Sequence, residues 1–344
     1  EGVHDVTEAA AVAERIAEAM ATPMVVDGVE TYVTASIGIT VRSGEEASAD
    51  VLLREADGAM YRAKEQGRSR HEIFDAEMRE KAVERFDLTN ALRRALERDE
   101  FRLVWQPEIA LAGADGTEGV WVEALLRWEH PEHGLLGPDR FIDVAESTGL
   151  INPIGEWALA QACREFCAWQ ASGRSAPAMF SVNLSARQLT QPDLVDRVRA
   201  VLSETGVDPS LLMLEITETA VMSDPVASRA RLGALRRLGM QIAIDDFGTG
   251  YSSLAYLRHL PVDALKIDLT FVSGLTDSLR DRAIVEGIIA LAHAVDLFTI
   301  AEGVESEAQA AELVELGCDW GQGYLWSRPV DGASLLDWIE AGGR

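Results

Sequence analysis

Two adjacent carboxylates, Asp245 and Asp246, close the apolar run Ile242-Ala243-Ile244 and precede the turn-like Phe247-Gly248-Thr249-Gly250. Like charges that close repel, and a buried carboxylate without a partner is costly. Such a pair calls for a cation. Other apolar runs carry polar residues in the same way. Glu123 follows Val120-Trp121-Val122, Asn183 closes Phe180-Ser181-Val182, and Glu215 follows Leu212-Met213-Leu214. Lys266 precedes Ile267-Asp268, and Glu302 follows Thr299-Ile300-Ala301. One polar strand end is ordinary; acids, an amide and a lysine at six of them describe a ring. Hard oxygen ligands without clustered histidine or cysteine suit Mg²⁺ or Mn²⁺ rather than zinc or copper. Two divalent ions would offset the repulsion of the Asp pair and make an acidic site attractive to phosphate.

The elements that must position these residues read as eight strands: FRLVWQP (101–107), VWVEALLRW (120–128), MFSVNLS (179–185), LLMLEITE (211–218), QIAIDDFG (241–248), ALKID (264–268), FTIAEGVE (298–305) and GQGYLWS (321–327). The first two are joined by AGADGTEG, which leaves no room for a helix and predicts an antiparallel hairpin. Helix-like segments such as IGEWALAQACREFCAWQ (154–170) and RDRAIVEGIIALAHAV (280–295) separate later strands. Repeated βα units imply parallel strands, and eight of them a closed (β/α)₈ TIM-type barrel whose first strand is reversed. In such a barrel the polar strand ends converge on the carboxyl-terminal mouth, where barrel enzymes keep their active sites. Neighbouring strand residues point to opposite faces. Asp246 lies where the strand gives way to the glycine-rich turn, so both aspartates can face the mouth.

Upstream of the barrel, EAAAVAERIAEAMA (8–21) reads as an amphipathic helix, TYVTASIGITV (31–41) as a β-branched strand, and ADVLLREADGAMYRAKEQG (49–67) as a helix ending at Gly67. DAEMREKAVERFDLTNALRRALER (75–98) is a helical connector, either a solvated linker or a signal-transmitting helix. The net charge of −26 argues against binding to a nucleic-acid polymer or an anionic membrane, but not against a phosphate substrate met by metal ions. No apolar stretch is long enough for a transmembrane helix. No signal peptide is visible, and the three cysteines fit a reducing, cytoplasmic compartment. Cys163 and Cys167, four apart, read as buried small residues, since no further ligands are spaced for zinc. His130 and His133 in HPEHG have a metal-compatible spacing but also suit a plain loop. The chain enters mid-pattern at Glu1, as a piece of a longer protein would, whose other part could anchor it to a membrane.

The barrel resembles the EAL-domain family of cyclic di-GMP phosphodiesterases. The resemblance runs over about 87–340 and rests on EALLRWEHP (123–131), SVNLSA (181–186), LEITET (214–219), DDFGTGYSSL (245–254), LPVDALKID (260–268), AEGVE (301–305) and QGYLWSRP (322–329). It implies a barrel with an antiparallel first strand and hydrolysis of cyclic di-GMP to linear pGpG. It also implies roles. Glu123, Asn183, Glu215 and Asp245 would hold one Mg²⁺ or Mn²⁺, and Asp245 with Asp246 would serve a second. Glu302 would be the general base or a ligand of the second metal, and Lys266 would contact the water and phosphate. Glu218 would brace the loop after Asp246. Gln106 and Arg127 would contact substrate, with Glu305 and Gln322 at the rim. Ca²⁺ is expected to inhibit. The first strand departs from the family pattern in having Trp105 where tyrosine is common and Glu108 where an apolar residue is usual.

The first part resembles the carboxyl-terminal half of a GGDEF (diguanylate cyclase) domain through ASIGIT (35–40) and ADGAMYRAKEQGRSR (56–70). Lys64 and Arg68 match phosphate-contacting positions of that family, but its signature loop and metal carboxylates are absent from this sequence. The expected organisation is a partial α/β GGDEF domain over 1–74, a helical linker over 75–98 and the EAL barrel over 99–344. The expected partners are cyclic di-GMP, a second copy of the chain docking near the loop after the Asp pair, and an upstream sensory or GGDEF region. The alternative to an enzyme is a catalytically silent cyclic di-GMP receptor. Such members of the family typically lack metal ligands or the base, and this chain has them.

Overall fold

Side chains alternate across a strand, so every second residue of a barrel strand faces inward and the rest meet the surrounding helices. The computed structural model describes residues 6–20, 24–26, 29–31, 33–41, 48–67, 69–111, 119–248 and 257–343. It divides into two units between Ala91 and Leu92, within the helix Ala76–Ala95.

In the second unit eight strands close into a barrel: Phe101–Ala110, Trp121–His130, Met179–Asn183, Leu212–Thr217, Gln241–Phe247, Ala264–Ile267, Phe298–Ala301 and Trp320–Gln322. The first is antiparallel to both its neighbours, the second and the eighth. All other barrel pairings are parallel. The hairpin register runs from Phe101 opposite Trp128 to Glu108 opposite Trp121. The expected barrel with a reversed first strand is therefore the observed one.

Helices cover the outward faces. Phe166 of the helix Ile151–Ala171 lies 4.5 Å, ring to ring, from Phe180, and Trp169 of the same helix lies 4.6 Å from Trp105. Trp105 also donates its indole N–H to Glu165 at 2.9 Å. The departure at this position thus serves the helix layer and not the mouth. Inside, Trp121, Met179, Met213, Ala243, Ala264, Ile300 and Trp320 form an apolar floor, with Trp121 and Trp320 stacked at 3.8 Å. Each floor residue stands two positions before a residue of the next layer up: Glu123, Ser181, Glu215, Asp245, Lys266, Glu302 and Gln322. Strand period alone therefore sets a polar layer directly on an apolar one.

The first unit differs from expectation in its strands. The stretch 31–41 is not one strand but parts of two. Val29–Thr31 pairs antiparallel with Met24–Val26, whereas Ile37–Ile39 pairs parallel with His71–Ile73. β-propensity was sufficient for either pairing, and the available partners decided where the chain changed sheets. The helix Ala49–Glu65 packs on Ile37–Ile39 so closely that a Cβ at Gly38 would lie 1.8 Å from the carbonyl oxygen of Ala56. Lys64 is exposed on that helix, and Arg68 lies outside the described residues.

Candidate active site

Lys266 is the centre of the polar layer. It is fully buried, and its Nζ lies 2.6 Å from Glu302 Oε1, 2.8 Å from Glu215 Oε2 and 3.4 Å from Glu123 Oε2. Burial disfavours its charge, but the three glutamates outweigh that and hold it protonated. Glu123 also accepts from Asn183 Nδ2 at 2.6 Å and from Gln322 Nε2 at 2.8 Å. Burial pushes the Glu123 carboxyl up, while Lys266 and these hydrogen bonds bring it below its ordinary range.

One lysine does not balance the carboxylates around it. Burial, the charge of Glu123 and other acids hold Glu215 well above its usual pKa, against the pull of Lys266. Burial raises Asp245 too, with Lys266 opposing and Glu123 adding. Glu302 is pushed up to about 8, chiefly by burial, with Lys266 again opposing. Asp246 rises to about 6 through burial and the charges of Asp245 and Asp268.

The Asp pair is turned to one side by backbone geometry. The strand runs to Phe247, within the expected 241–248, but its register slips between Ile244 and Phe247. Asp246 has φ +54°, in the left-handed region that aspartate tolerates better than most residues. Its N–H bonds to Asp245 Oδ1 at 2.9 Å. A bulge of this kind re-aims a side chain that strict alternation would send away. Oxygens of Asp245, Asp246 and Glu302 consequently lie within 4.8 Å of one another. Gly248 follows with φ +100°, and a Cβ there would meet the Phe271 ring at 2.9 Å. Its N–H bonds to Glu218, itself buried, at 3.1 Å. Past Glu302, Gly303 has φ +70°, and a Cβ would lie 2.6 Å from that of Leu269. The chain can thus leave Glu302 sharply.

Other expected residues are dispersed around this centre. Gln106 is nearly buried on the first strand and donates to the Ser327 carbonyl at 3.2 Å. Arg127 shares the face of Glu123 on the second strand, half-buried, its pKa lowered by burial. Glu305 is exposed beyond the seventh strand. Gln322 was expected at the rim but is 4% exposed and bonded to Glu123 in the polar layer. The eighth strand begins at Trp320, one residue earlier than GQGYLWS suggested, and spans three residues; that start places Gln322 two positions above the floor.

Glu108 had no assigned role, yet it lies here. It is fully buried, and burial together with neighbouring acids pushes it up to about 7 despite Lys266. One of its oxygens lies within 4.8 Å of an oxygen of Glu123 and of one of Glu215. The available signal was parity: Gln106, read as a mouth residue, is two positions away on the same strand.

His130 closes the second strand and His133 lies in the turn that follows it. His130 Nδ1 accepts the N–H groups of Glu132 and His133 at 3.1 and 3.2 Å. Burial pushes the Cys163 thiol up to about 12 and the Cys318 thiol to about 11. Both are poor metal ligands or nucleophiles in that state.

The residues fit hard divalent cations. Glu215 Oε1 and both oxygens of Glu108 are buried without a hydrogen-bond partner. The two acid groups, Glu108–Glu123–Glu215 and Asp245–Asp246–Glu302, offer oxygen donors only.

Fold and site define a TIM-type barrel with a reversed first strand and an acidic, cation-seeking mouth. The chain belongs to the EAL-domain family, whose model matches residues 89–329. Residues 2–70 match the family described as diguanylate cyclase, GGDEF domain. Over 329 residues the chain is 44% identical to the bifunctional diguanylate cyclase/cyclic di-GMP phosphodiesterase MucR of Pseudomonas aeruginosa, covering 96% of this chain and 47% of MucR. It is 35% identical over 330 residues to the cyclic di-GMP phosphodiesterase PdeR of Escherichia coli, covering 96% of this chain and 49% of PdeR. The chain thus spans about half the length of these curated relatives. The solved MucR phosphodiesterase in complex with c-di-GMP superposes with a TM-score of 0.68 at 46% identity, covering 72% of this chain and 99% of that one. Among the described residues, no helix is long and apolar enough to cross a membrane.

Proposed function

We propose that this chain hydrolyses one phosphodiester bond of cyclic di-GMP to give linear 5′-pGpG, using two divalent ions, Mg²⁺ or Mn²⁺. The observation that carries the reading is the charge imbalance of the mouth. Buried acids crowd one lysine, two oxygen-donor groups lie ready for cations, and the family positions for ligands and base are all filled. Bare, this mouth would repel a phosphodiester; loaded, it would draw one in.

Glu123, Asn183, Glu215 and Asp245 would hold one ion, and Asp245 with Asp246 the other. Such ions supply Lewis acidity toward the phosphate and lower the pKa of water. Glu302, held near Lys266 and raised toward neutral pH, takes a proton from the attacking water. The water oxygen bonds to phosphorus, the P–O3′ bond breaks, and the 3′ oxygen leaves as a hydroxyl by taking a proton from solvent water. Lys266 keeps Glu302, Glu215 and Glu123 gathered and is proposed to contact the attacking water and the phosphate. Glu218 fixes the backbone after Asp246 through Gly248. Gln106, Arg127, Glu305 and Gln322 are proposed to orient the dinucleotide, Gln322 by way of Glu123. The chain pairs with a second copy through the segment after the Asp pair, whose residues 249–256 lie outside the described ones. Residues 1–74 and 75–98 act as a GGDEF portion and its connector to the barrel at 99–344.

The test is incubation of the purified chain with cyclic di-GMP and Mg²⁺, Mn²⁺, Ca²⁺ or chelator, with products separated chromatographically. Conversion to pGpG with Mg²⁺ or Mn²⁺, but not with Ca²⁺ or chelator, supports the reading. Binding without conversion under every condition replaces it with a receptor function.

A further inference from the structure

We infer that Glu108 is an additional carboxylate ligand for the ion held by Glu123 and Glu215, so that this chain binds that ion more tightly than the family's usual set would allow. The inference rests on the metal-dependent reading above and concerns a residue outside the family's ligands.

The reversed first strand makes the placement possible. It carries Gln106 near the mouth and Glu108 two residues deeper, with Trp121 and Gln322 as its register neighbours. Glu108 is fully buried, and neither of its oxygens has a hydrogen-bond partner. One of them comes within 4.8 Å of a ligand oxygen on Glu123 and of one on Glu215. In that same group Glu215 Oε1 is equally buried and unpartnered. Lys266 does not meet the need, because its contacts go to Glu123, Glu215 and Glu302.

An apolar side chain would fill this position without desolvating a polar group. A neutral carboxylic acid would still bury a hydroxyl and a carbonyl unmatched. A divalent cation shared with Glu215 satisfies both orphaned groups at once. A third carboxylate raises the charge and the number of hard ligands, the two properties that tighten such sites. It replaces water in the ion's shell, which Mn²⁺ accepts more readily than Mg²⁺, an ion that holds its waters firmly.

The experiment measures Mn²⁺ binding calorimetrically on the whole chain, for wild type, Glu108→Gln and Glu108→Leu, with thermal melts in chelator alongside. Glu108→Gln and Glu108→Leu are expected to weaken one Mn²⁺ site at least tenfold and leave the second within about twofold. In chelator both should melt at or above the wild-type temperature, because an uncompensated buried carboxylate has gone. Unchanged Mn²⁺ affinity in both variants overturns the inference while leaving the metal reading intact. A lower melting temperature for Glu108→Gln in chelator also overturns it, since Glu108 would then have a partner in the metal-free protein. Failure of wild type to bind Mn²⁺ at all removes the metal reading and this inference together.

Discussion

Lys266→Met should unbalance the barrel in a way that pH exposes. Methionine is unbranched and of similar length, so the change removes charge more than volume. Lys266 and Glu215 are both fully buried, and Nζ sits 2.8 Å from one glutamate and 2.6 Å from another. Screening by water therefore does little to discount the loss. Removing one partner of such a pair typically costs about 3–5 kcal/mol. At about 2 °C or more per kcal/mol for a unit of this size, Tm should fall by about 6–10 °C at least. The loss should be full near pH 8 and shrink toward pH 5, where Glu215 and Glu302 can be neutral. The assay is calorimetric unfolding in chelator at both pH values. A wild-type Tm for Lys266→Met at pH 8 would refute the reasoning. So would an equal deficit at pH 5 and pH 8, which would mean lost packing rather than lost charge.

Glu302→Gln should lower kcat by about 10²-fold or more while cyclic di-GMP binding, followed calorimetrically, stays within a few-fold, because the amide cannot take a proton. Asp245→Asn should abolish turnover in Mg²⁺ and Mn²⁺ alike, since one amide oxygen does not serve two ions; steady-state assays with each ion check this. Metal-free wild type should lose stability as pH rises from about 5 to 8. Glu302, raised to about 8, and Asp246, raised to about 6, keep protons in the folded state that the unfolded chain releases nearer the ordinary values of 4.5 and 3.8. A Tm in chelator that climbs across that window would contradict the assigned directions. Gly303→Ala should cost about 1–3 kcal/mol, because φ +70° and the close Leu269 Cβ both oppose a side chain; denaturant unfolding measures it.

Much of this site was legible because strand period and βα repetition are local signals. Polar residues recurring at the ends of apolar runs, with helices between, were enough to place Glu123, Asn183, Glu215, Asp245, Lys266 and Glu302 around one mouth. What was not legible depended on depth and register. Gln322 looked like a rim residue until the eighth strand was found to begin at Trp320. Glu108 looked like a harmless departure because nothing local says how deep a reversed strand carries its inward residues. The Asp pair was expected to turn at a strand end. The chain instead keeps the strand and inserts a bulge with a left-handed Asp246, where its register with the sixth strand slips. The 31–41 stretch shows the same limit: its residues favour strand throughout, but two different partners divide it.

The central claim is that this ring of buried and half-buried acids directs water onto a phosphodiester. Its most direct test is hydrolysis of cyclic di-GMP by the purified chain in ¹⁸O-labelled water with Mg²⁺ or Mn²⁺, the product being weighed by mass spectrometry. The account predicts pGpG carrying one ¹⁸O on its 5′-phosphate, and none formed in chelator. Cyclic di-GMP bound by the metal-loaded chain but recovered intact and unlabelled would contradict it.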